Sequence, residues 1–217
     1  MQIENIPDCV FQHPFTCIIS GPSKSGKSTL LNYIIQNQNV MIDKPPDKIY
    51  YCYSRWQPGF NNLLNDNIYF TQGLPDMELL NSNERNLIIL DDLMTECSNS
   101  QLILDLFTID SHHKNLSVYF LTQNFFIQGK AIRSISLNAN YIIILNNPRD
   151  KAQFSYLSRQ VYPDNYKFLL ESYIDDVESK PYGYLLMDFT QNIDKHLRVQ
   201  TQLCVDGTRI KRIIYTS

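Results

Sequence analysis

The stretch GPSKSGKS, at residues 21–28, lies between the apolar run FTCII and TLLNYII, a run with helical spacing. It matches the pattern GxxxxGK[ST] in full, and its flanks supply the strand and the helix that phosphate binding requires. Glycine lets such a loop curl around phosphates, so that backbone N–H groups and the positive end of the following helix face them. A chance glycine-rich turn is the alternative, but this chain has only 7 glycines and places two of them at the required positions. The stretch therefore predicts a nucleotide-binding loop in an α/β domain.

The chemistry of this loop assigns roles to the residues after its second glycine. Lys27 would reach the β- and γ-phosphates of a nucleoside triphosphate, and the Ser28 hydroxyl would be a ligand of Mg²⁺. Thr29 would assist at the α-phosphate. The residues predicted to bind the nucleotide are Gly21, Pro22, Ser23, Lys24, Ser25, Gly26, Lys27, Ser28 and Thr29.

Length and composition limit what the rest of the chain can be. With 217 residues and 43% apolar content, one compact α/β unit can bury a core. The 19 basic and 22 acidic residues nearly balance, so any contact with a polyanion must be local. The N-terminus has no basic leader, and no apolar run reaches membrane-spanning length, so we expect a soluble, intracellular protein with no membrane partner. The 5 cysteines form no CxxC pair and are expected to be free, mostly buried thiols.

Short β-branched or aromatic runs alternate with longer segments of helical spacing, which is typical of a parallel sheet with crossover helices. The last third of the chain either extends this sheet or forms an appendage. We predict a P-loop core at residues 1–160 and a C-terminal extension of the same domain at residues 161–217. Strands are predicted at 15–20, 48–54, 86–90, 117–122, 141–145 and 183–189, a final extended piece at LRVQTQLC, and helices at 27–37, 99–109, 150–160 and 163–175.

Phosphoryl transfer also requires a carboxylate at the end of a neighbouring strand. The stretch NLIILDDLM supplies two. Asp91 follows four apolar residues and is the natural metal-side acid, while Asp92 occupies the place of the residue that orients or deprotonates water. Two acids at a strand end can instead cap a helix. The phosphate loop upstream favours the metal and water roles.

A third element is the apolar run SVYFLT, which ends in Thr122 and is followed by Gln123 and Asn124. A polar residue at this point would lie beside the acidic strand. It could sense the γ-phosphate, as a positioned glutamine orients water in other phosphoryl-transfer sites. Ordinary strand-end or turn chemistry is the alternative.

Taken in order, GPSKSGKST, IILDDLM, SHHKNLSVYFLTQNFF and RSISLNANYIIILNNPRDKAQ resemble the DNA-packaging ATPases of large eukaryotic DNA viruses, virophages and Maverick/Polinton elements, within the FtsK-HerA superfamily. TQN together with NxxYIIILxNPRD is the more specific part. The resemblance implies a RecA-like, mostly parallel central sheet flanked by helices, and ATP hydrolysis with Mg²⁺. It implies a homo-oligomeric ring that drives double-stranded DNA into a preformed capsid, with a capsid or portal-like viral protein as partner. It also implies a place inside the host cell, in a cytoplasmic virus factory or the nucleus, or transiently on the virion.

Carried across by position, the resemblance assigns nucleotide and metal roles to Lys27, Ser28 and Asp91, and the sensor role to Gln123. The wider superfamily usually has glutamate where this chain has Asp92, whose carboxylate is one methylene shorter. Asp92 would therefore act as the base directly or through an intervening water.

Ring motors also place a cation from one subunit at the γ-phosphate of the next, and three residues are candidates: Lys114, Arg133 and Arg149. Bacterial translocases of the superfamily have an arginine just before the sensor strand, where this chain reads His112-His113-Lys114. Arg133 is favoured because a guanidinium offers a fixed fork for phosphate oxygens. The alternative is that Arg133 and Arg149 pair with acids on their own surface.

Two other functions are compatible with the loop. A small-molecule kinase would need an arginine-rich lid and an acceptor pocket, and neither is recognisable in the sequence. An ATP-binding scaffold with little turnover would show the same motifs. The end of the chain, residues 195–217, carries five basic residues against Asp206 alone, which suits either a DNA contact or a solvated terminal strand.

Overall fold

The computed structural model describes residues 8–93, 101–110, 115–125, 135–149 and 151–216. Within these ranges, nine strands form one sheet. The strands are β1 (Thr16–Ser20), β2 (Lys48–Tyr53), β3 (Ile68–Gln72), β4 (Asn86–Asp91), β5 (Leu116–Thr122), β6 (Tyr141–Leu145), β7 (Tyr184–Asp188), β8 (Val199–Asp206) and β9 (Arg209–Tyr215).

The main helices pack on the two faces of this sheet. Two of them end in a wider π turn, at Leu106–Asp110 and Ile174–Glu178. The helices are α1 (Lys27–Gln36), α2 (Gln38–Met41), α3 (Gln101–Asp105), α4 (Lys151–Val161) and α5 (Tyr166–Tyr173). In the part of the chain that is described, no helix has the length and apolarity needed to cross a membrane.

The order of strands in the sheet is β3-β2-β4-β5-β1-β6-β7-β8-β9. Neighbours from β3 to β6 pair in parallel, whereas β7, β8 and β9 each run antiparallel to the strand before. Parallel neighbours need long crossover connections, which place helices over the sheet. Strand β5 lies between β1 and β4, so the glycine loop and the acid pair come from strands that are not neighbours.

The core has two halves, one on each face of the sheet. Successive side chains of a strand point to opposite faces, so Ile88 and Leu90 of β4 enter one half while Leu87 and Ile89 enter the other. Helix α1 covers the second half through Leu31 and Ile34, both fully buried. Because both faces are covered, the central strands are apolar throughout, which is why their sequences show no alternation.

The predicted fold class is confirmed: the sheet is mostly parallel and flanked by helices. The last third of the chain extends the sheet through β7, β8 and β9. The division into residues 1–160 and 161–217 stays a prediction. The helix expected at 99–109 is described from residue 101, and it widens into a π turn after Asp105.

Strand β3 was not predicted, and β9 was predicted only as one of two alternatives; both lie at an edge of the sheet. Strand β3 is half-exposed, so it lacks the continuous apolar run that marks a buried strand. Strand β9 reads RIKRIIY, and its charged residues left two interpretations open, a DNA contact or a solvated terminal strand. It pairs with β8 through a tight turn at Gly207, whose φ is 64°. Edge strands bury less apolar surface, so their sequences carry a weaker signal.

Candidate nucleotide-binding site

The carboxyl ends of β1, β4 and β5 meet at one edge of the sheet, and the predicted site residues lie there. In an open α/β sheet this edge is the usual position of a ligand site. The loop after β1 is joined to the end of β5, since the Gly21 N–H donates to the Thr122 carbonyl at 3.1 Å. This contact holds the loop next to the residues that follow β5.

Both glycines of the loop are required by its geometry. A Cβ on Gly21 would lie 2.6 Å from the Ser25 Oγ and 2.9 Å from the Leu145 Cβ, which leaves no room for a side chain. Gly26 has φ 103°, a left-handed conformation that side chains rarely adopt, and it caps the N-terminus of α1. The sequence pattern therefore corresponds to two separate steric requirements.

Lys27 begins α1 and folds back over the loop. Its Nζ donates to the Gly21 carbonyl at 2.5 Å and to the Pro22 carbonyl at 3.0 Å. Burial lowers the pKa of the Lys27 ammonium, and the nearby carboxylates of Asp91 and Asp92 oppose that shift. The ammonium is thus held by neutral carbonyls in a partly desolvated position, where an anion would be a stronger partner.

Asp91 is the last residue of β4 and is only 4% exposed. The Tyr51 hydroxyl donates to its Oδ2 at 2.9 Å. Burial raises the pKa of the Asp91 carboxyl, and the charge of Asp92 adds to the increase, while the Tyr51 hydrogen bond and Lys27 oppose it. A buried carboxylate at the phosphate loop would be stabilised by a cation, as a metal ligand is.

Asp92 follows with φ 57°, a strained left-handed conformation for a residue with a side chain. Its Oδ1 accepts a hydrogen bond from the Gln123 Nε2 at 2.9 Å. Gln123 stands directly after β5, which pairs with β4. Gln123, the residue after β5, and Asp92, the residue after β4, are therefore in direct contact.

One cleft collects most of the residues that were predicted from sequence. The lining residues are Ser23, Lys24, Lys27, Ser28, Gln57, Asp91, Asp92, Leu121 and Gln123. Gln57 and the Asp91 partner Tyr51 were not predicted. Gln57 follows β2 at the same edge of the sheet. Because ligand sites form beyond the carboxyl ends of parallel strands, its position after a predicted strand could have marked it as a site residue. Tyr51 lies inside β2, and no sequence signal marks it, because its contact with Asp91 depends on the order of the strands.

Of the three predicted trans-acting cations, Arg149 alone falls within the described residues, and it does not line this cleft. Lys114 and Arg133 lie outside the described residues. Arg149 is exposed on the turn after β6, where its backbone N–H donates to the Asn147 Oδ1 at 3.2 Å. Its role stays a prediction.

The oxygen atoms in the cleft suit Mg²⁺. Magnesium binds proteins through one or two oxygen ligands and keeps water and phosphate oxygens for the rest. The Tyr51 hydroxyl occupies Asp91 Oδ2, which leaves Oδ1 to bind a cation. The Ser28 hydroxyl lies in the same cleft. Both residues fit a Mg²⁺ that also contacts the phosphates.

Together, the strand order, the glycine loop after β1 and the acid pair after β4 define a P-loop NTPase fold. No protein-family model matches the chain, and no curated protein matches it by sequence. Solved structures do match it by shape.

The genome packaging NTPase B204 of Sulfolobus turreted icosahedral virus 2, in complex with AMPPCP, superimposes with a TM-score of 0.58 at 14% identity, over 87% of this chain and 96% of that one. B204, the DNA-packaging ATPase from Sulfolobus turreted icosahedral virus, gives a TM-score of 0.58 at 12% identity, over 89% and 99% of the two chains. The flagellar accessory protein FlaH of Methanocaldococcus jannaschii gives 0.51 at 12% identity, over 94% and 91%. At these identities the likeness establishes the fold alone.

Proposed function

We propose that this protein is an ATPase that works as a ring and drives double-stranded DNA into a viral capsid. The observation that carries the proposal is the cleft at the carboxyl edge of the sheet. It joins Lys27 and Ser28 of the glycine loop to Asp91, Asp92 and Gln123. These are the groups that phosphoryl transfer to water needs: a cation for the phosphates, oxygen ligands for Mg²⁺, and polar groups for the water.

The packaging role rests on two supports beyond the site. The superimposed B204 proteins are described as a genome packaging NTPase and a DNA-packaging ATPase. FlaH, a flagellar accessory protein, superimposes almost as well, so the fold does not select DNA packaging. The resemblance of TQN and NxxYIIILxNPRD to viral packaging ATPases favours it over the alternatives.

Five residues of the cleft would each have a part in hydrolysis. Lys27 would leave the Gly21 and Pro22 carbonyls and bind the β- and γ-phosphate oxygens, because anionic oxygens are stronger partners for an ammonium than neutral carbonyls. Ser28 and Asp91 would hold Mg²⁺, whose charge would stabilise the negative charge of the phosphates. Asp92 and Gln123 would hold the attacking water, with the Asp92 carboxylate accepting a hydrogen bond from it. The hydrogen bond between Gln123 and Asp92 fixes the orientation of both side chains toward the water.

The residues that meet DNA are a separate question. Of the basic residues near the end of the chain, Lys211 pairs with Asp206 at 2.5 Å, and the Arg212 Nη1 donates to the Gln200 Oε1 at 3.0 Å. Both residues lie on β9 and have partners inside their own hairpin. The interpretation of this end as a solvated terminal strand is therefore the stronger one.

The first test compares ATP hydrolysis with and without double-stranded DNA. Stimulation by DNA is expected for a packaging motor. A small-molecule kinase would ignore DNA, and an ATP-binding scaffold would bind ATP without turnover. Either result would reject the motor.

The second test concerns the trans-acting cation, for which Arg133 is the first candidate. Arg133→Ala and Lys27→Ala subunits should each be inactive alone, because one lacks the neighbour's cation and the other lacks its own phosphate contact. Mixed rings should recover activity where an intact pocket faces an intact Arg133. An arginine supplied in trans contributes on the order of 10³ to 10⁵ in rate, so the recovery should be easy to measure. Mixed rings without activity would move the role to Arg149 or Lys114.

A further inference from the structure

A second, larger cavity opens on the other side of the glycine loop. Its volume is about 670 Å³, which falls in the range of small-molecule sites. Lys24 lines both this cavity and the phosphate cleft. Gly26 and Thr29 also border it, so a ligand with phosphates in the loop would extend into it.

The wall opposite the loop is formed by β7, β8 and the turn before β7. Tyr182 in that turn lies close to the loop, since a Cβ on Gly26 would be 3.1 Å from the Tyr182 Cδ1. Its side chain is 72% exposed, and it has φ 57°. An exposed ring held against the end of a phosphate loop offers a flat surface on which a nucleobase can stack.

Strand β8 is distorted where it borders the cavity, with a register shift between Thr201 and Cys204. Backbone N–H groups at and beside this distortion donate to tyrosine hydroxyls. The Leu203 N–H donates to the Tyr184 hydroxyl at 2.8 Å, and the Val205 N–H donates to the Tyr33 hydroxyl at 2.7 Å. These hydrogen bonds therefore hold β8 in place where it forms the wall of the cavity.

The orientation of the Gln202 amide follows from its neighbour Asp176. Asp176 is fully buried, and hydrogen bonds from Lys180, Thr201 and Gln202 offset the effect of burial and hold the pKa of its carboxyl below the ordinary value. An ionised carboxylate only accepts hydrogen bonds, so the Gln202 group that lies 2.6 Å from the Asp176 Oδ1 must be the donor Nε2. Gln202 can therefore offer its Oε1, an acceptor, to a ligand in the cavity that it lines.

We infer that this cavity binds the base and ribose of the nucleotide, with Tyr182 stacking on the base and Gln202 selecting adenine. Adenine carries an exocyclic amine that donates to an acceptor, whereas guanine has a carbonyl oxygen at the corresponding position. Guanine would place two acceptors face to face and leave both unsatisfied. The inference rests on the proposed function, because it requires phosphates in the glycine loop.

Cys204 provides a probe that does not depend on hydrolysis. It is exposed and lines the cavity, whereas Cys9 is half-buried and does not line it. The experiment measures alkylation of Cys204 by N-ethylmaleimide with peptide mass spectrometry, using Cys9 as the internal reference. ATPγS should slow the reaction of Cys204, GTPγS should do so only at about tenfold higher concentration, and tripolyphosphate should have little effect. Equal protection by the two nucleotides would overturn adenine selection, and no protection by either would overturn the cavity assignment.

Substitutions in the cavity distinguish the contribution of the base to binding from that of the phosphates. Tyr182→Ala should weaken ATPγS binding about tenfold, the size of one base–aromatic stack, while Tyr182→Phe should bind normally. Neither variant should change the affinity for tripolyphosphate. Tyr156→Ala removes a tyrosine of similar exposure outside the cavity and is the matched control. Gln202→Leu should bring the affinities for ATPγS and GTPγS together.

The outcomes distinguish this inference from the proposed function. If wild-type protein binds tripolyphosphate as tightly as ATPγS, the base cavity is rejected while the phosphate loop stands. If neither ligand binds, nucleotide hydrolysis is rejected and the base cavity with it. If Tyr182→Ala weakens tripolyphosphate as much as ATPγS, the ring supports the loop and does not stack on a base.

Discussion

The polar residues at the two ends of the parallel strands serve different purposes. At the carboxyl end, Lys27, Asp91 and Asp92 surround an open cleft, and burial moves the pKa of Lys27 and of Asp91 away from the ordinary value. At the amino end, His13 and Ser117 are almost fully buried and bonded to each other at 2.7 Å. Polar groups that satisfy one another stabilise the fold, while polar groups that face a cleft can act on a ligand.

The donor and the acceptor of each hydrogen bond in the amino-end network can be assigned. The Asn115 Oδ1 can only accept, so the His13 Nε2, which lies 2.9 Å away, carries the hydrogen. The His13 Nδ1 then accepts from the Ser117 hydroxyl, whose oxygen accepts in turn from the Phe15 N–H at 3.1 Å. This network joins the start of β1 to the start of β5. The comparison predicts that changes at the carboxyl end will alter activity and that changes at the amino end will alter stability.

The largest effect is expected for Lys27→Ala. Hydrolysis should fall to background and nucleotide binding should weaken, because the variant removes a positive charge from the phosphates. The fold should remain, since Lys27 contributes no atom to the apolar core. Lys44→Ala, an exposed lysine at the other end of the sheet, is the control for activity and for circular dichroism. Near-normal turnover by Lys27→Ala would remove the ATPase assignment.

Asparagine substitutions at the two positions of the acid pair should give different phenotypes. Asp91→Asn should lose the dependence of hydrolysis on Mg²⁺ together with the activity, because its carboxylate is the proposed metal ligand. Asp92→Asn should bind Mg·ATP normally and turn it over slower by about tenfold or more, the size expected for a group that positions water. Isothermal titration and steady-state kinetics measure the two effects, and Asp66→Asn at an exposed site is the control. Wild-type kinetics in Asp92→Asn would show that the base lies elsewhere.

At the amino end, Ser117→Ala should reduce the free energy of unfolding by about 1–3 kcal/mol, because it leaves buried polar partners unsatisfied. The rate of ATP hydrolysis at 25 °C should stay unchanged. Urea denaturation provides the measurement, and Ser82→Ala at an exposed turn serves as the matched control. A loss of activity without a loss of stability would contradict the division between the two ends.

The smallest effect is a dependence of stability on pH through His13. Burial lowers the pKa of its imidazole, while Asn115 and Asp43 oppose the shift and Arg85 and Lys44 add to it. The unfolded chain therefore takes up this proton more readily, so the stabilisation is complete above pH ~6.5 and declines as the pH falls through the folded-state pKa. One such group changes the free energy of unfolding by at most about 1.4 kcal/mol per pH unit. Urea denaturation between pH 7.5 and 5 should show this slope in the wild type and a smaller slope in His13→Gln.

The sequence by itself determined the elements whose signals are local. The glycine loop specifies a strand, a turn and a helix within a few residues, and both glycines have steric reasons in the structure. The acid pair also stands directly after a buried apolar run, so its position at the carboxyl edge followed from the parallel pattern. Strand β3 was missed, and β9 was left as one of two alternatives, because a strand that is buried on only one side has a weaker apolar signal.

Only the tertiary structure decided which distant residues complete the site. Tyr51 reaches Asp91 because β2 pairs with β4, and Gln123 reaches Asp92 because β5 lies on the other side of β4. Tyr182 and Gln202 border the glycine loop because β7 and β8 return antiparallel beside β6. The sequence placed Gln123 beside the acidic strand, but no spacing along the chain marks the contacts of Tyr51, Tyr182 and Gln202. The physical reason is that a sheet brings residues together by strand order, which depends on long-range pairing and not on local sequence.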